Sequence, residues 1–327
     1  MEKVFVTGGV GYLASFLIKH LLERGYIVHA TLRDLSNASK VGLLKGLAHA
    51  KTRLKLFEAD IYNPSDFAAA IRGCAFVFHL ATPLHHYDNN PQYKDTTEAA
   101  VAGVKIIAES CIKSKTVKKL IYTASVMAAS PLIGDASGYK DVVDETCWTP
   151  LDLPYKMYFD YIHSKTLAEK EVLSYNGLGI EVVSLACGLV GGETIQSFVS
   201  DSMALLISQA LSDGILYKGL RSLEDLDSKV PIAHVQDVID AHIFAMENSN
   251  MNGRFLVASD FLKSVEIAYL IKKQYPYITI LPKLVEDTKR ETKWGSTKLE
   301  QLGFHYKFGA AQIIYDSIAC AKRLGVI

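Results

Sequence analysis

The chain has 327 residues, which at roughly 150 residues per domain predicts about two structural units. Hydrophobic residues make up 49% and charged residues 21%, so a large core can form and a disordered chain is excluded. The 35 basic residues balance 35 acidic residues, which argues against a protein that binds nucleic acid through its phosphates. No apolar run approaches the roughly 18 residues that a membrane span requires.

The cysteines and the two ends of the sequence predict a cytoplasmic protein. The five cysteines lie far apart, the nearest two being Cys111 and Cys147, which fits neither a metal site nor a disulfide framework. The β-rich run begins at Val4 without the pattern of a signal peptide, and the last four residues include no cysteine for lipidation. We therefore expect reduced, buried thiols, no metal and no membrane partner.

The first 125 residues alternate short β-rich runs with amphipathic stretches. The predicted strands are Val4–Thr7, Ile27–Leu32, Leu54–Phe57, Ala75–Leu80 and Lys119–Thr123. The predicted helices are Ser15–Arg24, Ser65–Ile71 and Thr96–Ser114. Uninterrupted apolar strands that alternate with helices indicate an α/β protein with a doubly wound parallel sheet.

The second half of the chain alternates less regularly. Residues 126–157 are rich in Gly, Asp, Pro and Ser and are predicted to form a long loop. Further helices are predicted at Tyr158–Ser174, Ser200–Ser212, Val235–Glu247, Val265–Tyr275 and Ala310–Leu324, and strands at Ile180–Leu185 and Val230–His234. We expect a nucleotide-binding domain over residues 1–186 and a smaller C-terminal lobe over 187–327. The lobe would mainly bind substrate, with some of its elements returning to the first domain.

A glycine turn, Thr7–Ala14, lies between the first predicted strand and the first predicted helix. Gly8 permits the tight turn, and Gly11 lets the backbone approach a pyrophosphate at the helix N-terminus, where N–H groups and the dipole favour an anion. Because a strand precedes the turn and a helix follows it, the pattern predicts a dinucleotide site. The alternative is a tight turn that binds no ligand.

The residues after the second strand predict which dinucleotide binds. Arg33 can form paired hydrogen bonds with a phosphate, and Lys40 adds a second cation, so we expect NADPH rather than NADH. Asp34 could instead hydrogen-bond the adenosine ribose, although the sequence favours a role as the cap of the following turn. Asp60, just past the third strand, could reach the adenine or cap a turn.

Tyr161 and Lys165 carry the strongest chemical signal. Residues four apart on a helix share a face, so the phenol and the ammonium lie side by side. Carbonyl reduction needs a proton donor, and a cation lowers the pKa of a phenol from its usual value of about 10. Ser125 ends the fifth strand and can hydrogen-bond the substrate oxygen. Together they predict a catalytic triad, whereas Tyr-x-x-x-Lys alone also fits a surface pair on an amphipathic helix.

These motifs resemble an extended short-chain dehydrogenase/reductase of the plant dihydroflavonol reductase and anthocyanidin reductase branch. The resemblance covers the glycine turn, Arg33, Ser125, Tyr161–Glu169, Phe76–Pro83, His234–Val238 and Ala241–Phe244. The runs Tyr122–Leu132 and Ala186–Gly192 are most similar to the HC-toxin-reductase-like subgroup, many of whose members are labelled anthocyanidin reductases by similarity alone.

The resemblance implies a Rossmann-type fold, NADPH/NADP⁺ as cofactor, and Ser125, Tyr161 and Lys165 as the triad. The cofactor-binding residues expected from the motifs and the resemblance together are Gly8, Gly11, Tyr12, Leu13, Arg33, Lys40, Asp60, Ile61, Ala81, Thr82, Tyr161, Lys165, Ala186 and Leu189. Two positions depart from the family. Ser130 replaces an Asn that meets the flavonoid in dihydroflavonol reductases, and Ala186 replaces a proline near the nicotinamide amide.

Substrate contacts are less well specified by the sequence. The candidates are Pro83, His86, Met127, Ser130, Tyr158 and Met203. An exposed loop is the alternative for His86, and core packing is the alternative for the apolar side chains.

The sequence thus predicts an NADPH-dependent carbonyl reductase of plant specialised metabolism. It would transfer a hydride to a ketone on an apolar cyclic small molecule, or oxidise a secondary alcohol in the reverse direction. One alternative is an anthocyanidin or other flavonoid reductase, and another is a non-catalytic NADP(H)-binding sensor or scaffold. Sugar-nucleotide epimerisation is disfavoured by the apolar run Met203–Ile207.

Overall fold

A computed structural model describes residues 2–63, 66–83 and 93–327. The strands of this part of the chain are β1 Lys3–Val6, β2 Ile27–Leu32, β3 Leu54–Glu58, β4 Phe76–His79, β5 Lys119–Ser125, β6 Val142–Val143, β7 Glu181–Cys187, β8 Leu189–Gly191, β9 Val230–His234, β10 Gly253–Val257, β11 Asp260–Leu262 and β12 Lys293–Trp294.

The helices of the same residues alternate with these strands, most regularly in the first half. They are α1 Tyr12–Glu23, α2 Ala38–Lys45, α3 Ala50–Arg53, α4 Phe67–Ile71, α5 Thr96–Ser114, α6 Phe159–Ser174, α7 Asp201–Leu206, α8 Gly214–Asp227, α9 Val235–Glu247, α10 Ser264–Gln274, α11 Lys298–Gln301 and α12 Ala310–Arg323.

Seven strands form one sheet in the order β3-β2-β1-β4-β5-β7-β10. The pairs from β3 through to β5 are parallel, with Val4 of β1 opposite both Val28 of β2 and Phe76 of β4. The side chains of Val4, Phe5 and Val6 are fully buried, because a parallel sheet flanked by crossover helices is covered on both faces. This strand order is that of a dinucleotide-binding Rossmann sheet, which confirms the predicted α/β class.

The described chain divides into two compact units, each assembled from three separate segments. The first comprises residues 1–124, 163–185 and 242–254, and the second comprises residues 125–162, 186–241 and 255–327. Two small sheets, β11-β9-β8 and β12-β6, belong to the second unit. That unit has its own apolar cluster, which includes Leu206, Leu220 and Ile313. Cofactor binding by one unit and substrate binding by the other stay predictions.

The structure differs from the predicted elements mainly in the second unit. The helix expected to end at Ser212 ends at Leu206, and the chain then turns into α8, which was not predicted. Asp213 explains this start, because its carboxylate accepts the N–H groups of Ile215 and Leu216 at 2.8 and 3.0 Å. Strand β10 was also missed, and the predicted loop 126–157 contains a 3₁₀ turn and β6.

Helix α6 is fastened to the sheet by a buried ion pair. Arg254 of β10 donates from Nε and Nη2 to the two carboxylate oxygens of Glu169, each at 3.0 Å. The hydroxyl of Ser184 on β7 donates to the same carboxylate at 2.6 Å. Glu169 is fully buried and Arg254 is 6% exposed, so neither charge has water to replace a lost partner.

Two expectations from the sequence concern the state of the cysteines and the presence of a membrane-spanning helix. All five cysteines are buried and none is bridged, which confirms the prediction of buried free thiols. Among the described residues, no helix combines the length and the apolar character that crossing a bilayer requires.

We expect Arg254→Met to destabilise the protein by about 3–5 kcal/mol, because it leaves the Glu169 carboxylate buried without its cation. The matched control is Lys113→Met, which removes an exposed pair with Glu109 at 3.7 Å and is expected to cost at most about 0.5 kcal/mol. Urea-induced unfolding of both variants measures the difference. Equal, small losses in the two variants would show that the buried pair does not anchor α6.

Candidate active site

The glycine turn joins β1 to α1 and is held against β2. The N–H of Gly8 donates to the hydroxyl of Thr31 at 3.2 Å, and the N–H of Gly9 donates to the Thr31 carbonyl at 2.8 Å. Gly8 has a φ of +65°, and a Cβ there would lie 3.2 Å from the Cβ of Ala81. Glycine is therefore required both for the backbone conformation and for the approach of the segment that follows β4.

The N-terminus of α1 is suited to an anion. Gly11 occupies the N-cap in an extended conformation, no side chain caps the helix, and its first turn has no acidic residue. Helix α5, by contrast, is capped by the carboxylate of Asp95, which accepts the N–H of Glu98 at 2.8 Å. Tyr12 and Leu13 are partly exposed at the uncapped turn. The turn thus fits the pyrophosphate of a dinucleotide, as the sequence predicted.

Thr7 fixes the chain after β4 next to this turn. Its hydroxyl oxygen accepts the N–H groups of Leu80 and Ala81 at 3.0 and 2.9 Å and lies 3.0 Å from Nδ1 of His79. Since a hydroxyl has one proton, that proton goes to His79, whose Nδ1 must be the unprotonated nitrogen. Burial, followed by the nearby charge of Lys165, lowers the pKa of His79 to about 3, so the ring is neutral.

Lys165 is buried, and its ammonium is held by the ends of β4 and β5. The ammonium donates to the hydroxyl of Thr82 at 2.7 Å and to the carbonyl of Thr123 at 2.9 Å. It also lies 5.3 Å from the centre of the Tyr122 ring. The hydroxyl of Thr123 is 2.7 Å from Nε2 of His242, a buried residue of α9.

Sequence reasoning missed the polar residues that hold these groups. They are Thr7, His79, Thr123 and His242, and the side chain of each is buried. A polar side chain in a fully buried strand or helix needs a partner, and that requirement is the signal that could have found them.

Ser125 and Tyr161 are hydrogen-bonded to each other. Ser125 ends β5, and its hydroxyl oxygen also accepts the N–H of Met127 at 3.2 Å. Burial raises the pKa of the Tyr161 phenol to about 12, and the hydrogen bond with Ser125 opposes that rise. The sequence analysis expected Lys165 to lower this pKa. In the structure the cost of burying a phenolate prevails, so the phenol is protonated at neutral pH.

The residues expected at the adenosine phosphate are exposed. Arg33 directly follows β2, and Lys40 lies in the first turn of α2, which Asn37 caps. The carboxylate of Asp34 accepts the N–H and the hydroxyl of Ser36 at 2.8 and 2.6 Å, which confirms the turn-cap interpretation of this residue. Glu58 also accepts a backbone N–H from this loop, a contact that the sequence did not suggest.

Asp60 and Ile61 follow β3. The Asp60 carboxylate accepts the N–H of Tyr62 at 3.1 Å, so the capping alternative is realised, while contact with the adenine stays a prediction. Ile61 is 9% exposed and packs against Gly103 of α5, where a Cβ would have no space.

Ala186 and Leu189 lie at the end of β7 and the start of β8. Ala186 is fully buried and Leu189 is 7% exposed. Gly188 between them donates its N–H to the carbonyl of Val257 at 2.9 Å. Contacts from the main chain to the cofactor do not need exposed side chains, and these two assignments stay predictions.

The candidate substrate residues differ in what they can offer. His86 lies outside the described residues, and Pro83 is buried. Met203 is fully buried, and Met127, at 9% exposed, belongs to the apolar cluster of the second unit. Ser130 is fully buried, and its hydroxyl donates to the Leu226 carbonyl and accepts the N–H of Leu132 at 3.0 Å. Ser130 and Met203 therefore gain no support as substrate contacts.

Comparison with known proteins identifies the chain's relatives. Residues 4–258 match the NAD dependent epimerase/dehydratase family. An anthocyanidin reductase from Vitis vinifera is 35% identical over 98% of this chain and 96% of its own length. Vestitone reductase from Medicago sativa is 36% identical over 99% of this chain and 98% of its own length.

Solved structures agree with these relatives. The crystal structure of the alfalfa vestitone reductase covers 100% of both chains with a TM-score of 0.83 and 33% identity. A yeast methylglyoxal/isovaleraldehyde reductase complexed with NADPH covers 99% of this chain and 100% of its own, with a TM-score of 0.78 and 20% identity, and so shares the fold. The resemblance to the dihydroflavonol and anthocyanidin reductase branch is thereby confirmed. The chain belongs to the NAD dependent epimerase/dehydratase family and is an NAD(P)-dependent oxidoreductase of the extended short-chain dehydrogenase/reductase type.

Proposed function

We propose that the protein is an NADPH-dependent carbonyl reductase of plant specialised metabolism that acts on an apolar, cyclic small molecule. The observation that carries the proposal is the half-buried phenol of Tyr161, hydrogen-bonded to Ser125, with Lys165 one turn further along α6. A protonated phenol beside a hydroxyl is a suitable donor for an oxygen on which negative charge develops.

Each member of the triad has a distinct role in this proposal. When bound, the nicotinamide supplies a hydride to the carbonyl carbon of the substrate. Ser125 donates a hydrogen bond that orients the carbonyl oxygen, and Tyr161 gives that oxygen its proton. Lys165, whose ammonium is held by the Thr82 hydroxyl and the Thr123 carbonyl, would bind the ribose of the nicotinamide. In the reverse direction Tyr161 would take the proton from a secondary alcohol.

NADPH is favoured over NADH by the residues after β2. Arg33 and Lys40 put two cations there, and the Asp34 carboxylate is already used by Ser36. A guanidinium binds a phosphate through paired, charge-assisted hydrogen bonds, which a ribose hydroxyl cannot match. We place the activity in the cytoplasm, in keeping with five unbridged cysteines.

A flavonoid is the second candidate substrate. The names of the relatives favour it, since two of them are an anthocyanidin reductase and a vestitone reductase. Ser130 replaces the Asn that would favour a dihydroflavonol, and its hydroxyl is already hydrogen-bonded to Leu226 and Leu132. A sensor without turnover would not require a buried proton donor, and the assay below distinguishes it from an enzyme.

We expect purified protein to oxidise NADPH in the presence of at least one member of a panel of cyclic ketones, anthocyanidins and dihydroflavonols. Tyr161→Phe should lower that turnover by about a hundredfold or more and weaken NADPH binding far less, since it removes the proton donor but leaves the other expected cofactor contacts in place. Tyr269→Phe, at an exposed tyrosine of α10, is the matched control and should leave turnover unchanged. NADPH binding without turnover in either direction would favour the sensor.

We expect Arg33→Asp to weaken NADPH binding at least about tenfold and to leave NADH binding nearly unchanged, because it replaces the cation at the phosphate with an anion. Lys283→Asp, an equal change of charge at an exposed site in the second unit, controls for the overall field of the protein. Fluorescence titration with both dinucleotides measures the ratio. Equal losses for NADPH and NADH would contradict the assignment of Arg33.

The two directions of reaction should depend differently on pH. Reduction needs the protonated phenol, and with the pKa of Tyr161 raised to about 12 that form persists, so kcat/KM should stay flat from about pH 6 to about pH 9. Oxidation needs the phenolate, whose fraction grows about tenfold per pH unit below the pKa, so the oxidative rate should climb. Ser125→Ala should shift the rise of the oxidative rate to higher pH, because it removes the hydrogen bond that lowers the pKa of Tyr161. A reductive rate that falls as the oxidative rate rises would contradict a pKa of about 12.

A further inference from the structure

Tyr158, the residue just before α6, has an unusual backbone conformation. Its φ is +59°, in the left-handed region that a bulky residue seldom adopts. Its carbonyl accepts the N–H of Ile162 at 2.8 Å, so it forms part of the first turn of the helix that carries Tyr161. Backbone strain of this kind is retained where the surroundings specify it, and it clusters at functional sites.

The ring of Tyr158 fits a notch in α8. A Cβ at Gly219 would collide with the phenol oxygen of Tyr158 and would lie 3.4 Å from its Cζ and 2.6 Å from Cδ2 of Leu205. Only a glycine on this face of α8 leaves space for the ring. Backbone and packing therefore define one position for the phenol.

The hydroxyl of Tyr158 has no hydrogen-bond partner among the residues that the structure describes. The neighbouring phenol of Tyr155, by contrast, donates to the carbonyl of Pro150. Burial, with the charge of Asp201, raises the pKa of Tyr158, so its hydroxyl remains a donor throughout the neutral range. The hydroxyl is not among the described polar atoms that are buried without a partner, so water reaches it and a ligand oxygen can take the place of that water.

The residues around Tyr158 indicate what kind of ligand its hydroxyl binds. Tyr158 and Tyr161 pack at the edge of the same apolar cluster, which also includes Met127 and Ile162. Both tyrosines are partly buried and pack against this one cluster of the second unit. We infer that Tyr158 is a specificity-determining residue that hydrogen-bonds a second oxygen of the substrate, away from the reacting carbonyl. This role of Tyr158 rests on the proposed reductase function.

The test uses a matched pair of probes, chromanone and its ring-hydroxylated analogues, with NADPH. The measured quantity is the ratio of kcat/KM for the hydroxylated ketone to that for the parent ketone. Tyr158→Phe keeps the ring in its notch and removes only the hydroxyl. We expect it to lower the ratio by roughly five- to tenfold, the effect of one lost hydrogen bond, and to leave kcat/KM for the parent ketone unchanged.

Gly219→Ala provides an independent disturbance of the same group. The added Cβ should displace the phenol and lower the ratio in the same direction. In the double variant with Tyr158→Phe the colliding oxygen is gone, so we expect the ratio of Tyr158→Phe alone, without a further loss. Tyr269→Phe, at an exposed tyrosine with no notch, should change neither ratio nor rate.

The outcomes separate this inference from the proposed function. Turnover that requires Tyr161 but shows the same ratio in wild type and Tyr158→Phe would overturn the role of Tyr158 and leave the reductase intact. A Tyr158→Phe variant that loses both ketones equally would show a purely structural residue and also overturn it. Wild-type protein that reduces none of the probes and does not bind NADPH would overturn both proposals.

Discussion

Helix α6 buries an ammonium and a carboxylate one turn apart, and much of the molecule is arranged to satisfy them. Lys165 takes its partners from the ends of β4 and β5, through Thr82 and the Thr123 carbonyl. Glu169 takes its partners from β7 and β10, through Ser184 and Arg254. Buried charges tolerate little displacement from their partners, so four strands together determine the rotation of α6 about its axis. The direction in which Tyr161 points follows from that rotation.

The regular part of the fold could be predicted because its pattern is local. Strand Ile27–Leu32 and helices Thr96–Ser114 and Val235–Glu247 have the predicted bounds. The strand is a continuous buried run, the helices have a helical period, and Thr96–Ser114 also has a capping aspartate. Helix α8 packs its apolar side chains into the core of the second unit, and it was missed because its capping residue Asp213 was not recognised in the sequence. Strand β10 was missed because it is a sheet edge whose position depends on pairing with a distant part of the chain.

The candidate site likewise contains residues that the sequence predicts and residues that it does not. The glycine turn, Ser125, Tyr161 and Lys165 were found because their spacing along the chain reflects the chemistry directly. The polar side chains that hold these residues in place were not found, because their partners are distant in the sequence. Thr7 contacts His79, 72 positions away, and Thr123 contacts His242, 119 positions away. The pKa of Tyr161 depends on burial, which spacing does not contain, and so the expected direction was wrong.

The division of each unit into separate segments has a consequence for synthesis on the ribosome. The first unit needs residues 242–254, so it is incomplete until more than three quarters of the 327 residues have been made. Until Arg254 has been synthesised, Glu169 of α6 has no guanidinium partner. Burying its carboxylate against the sheet is unfavourable until then. Contacts between such distant segments slow folding. We therefore expect helix α6 to reach its native place only after residue 254 has been synthesised.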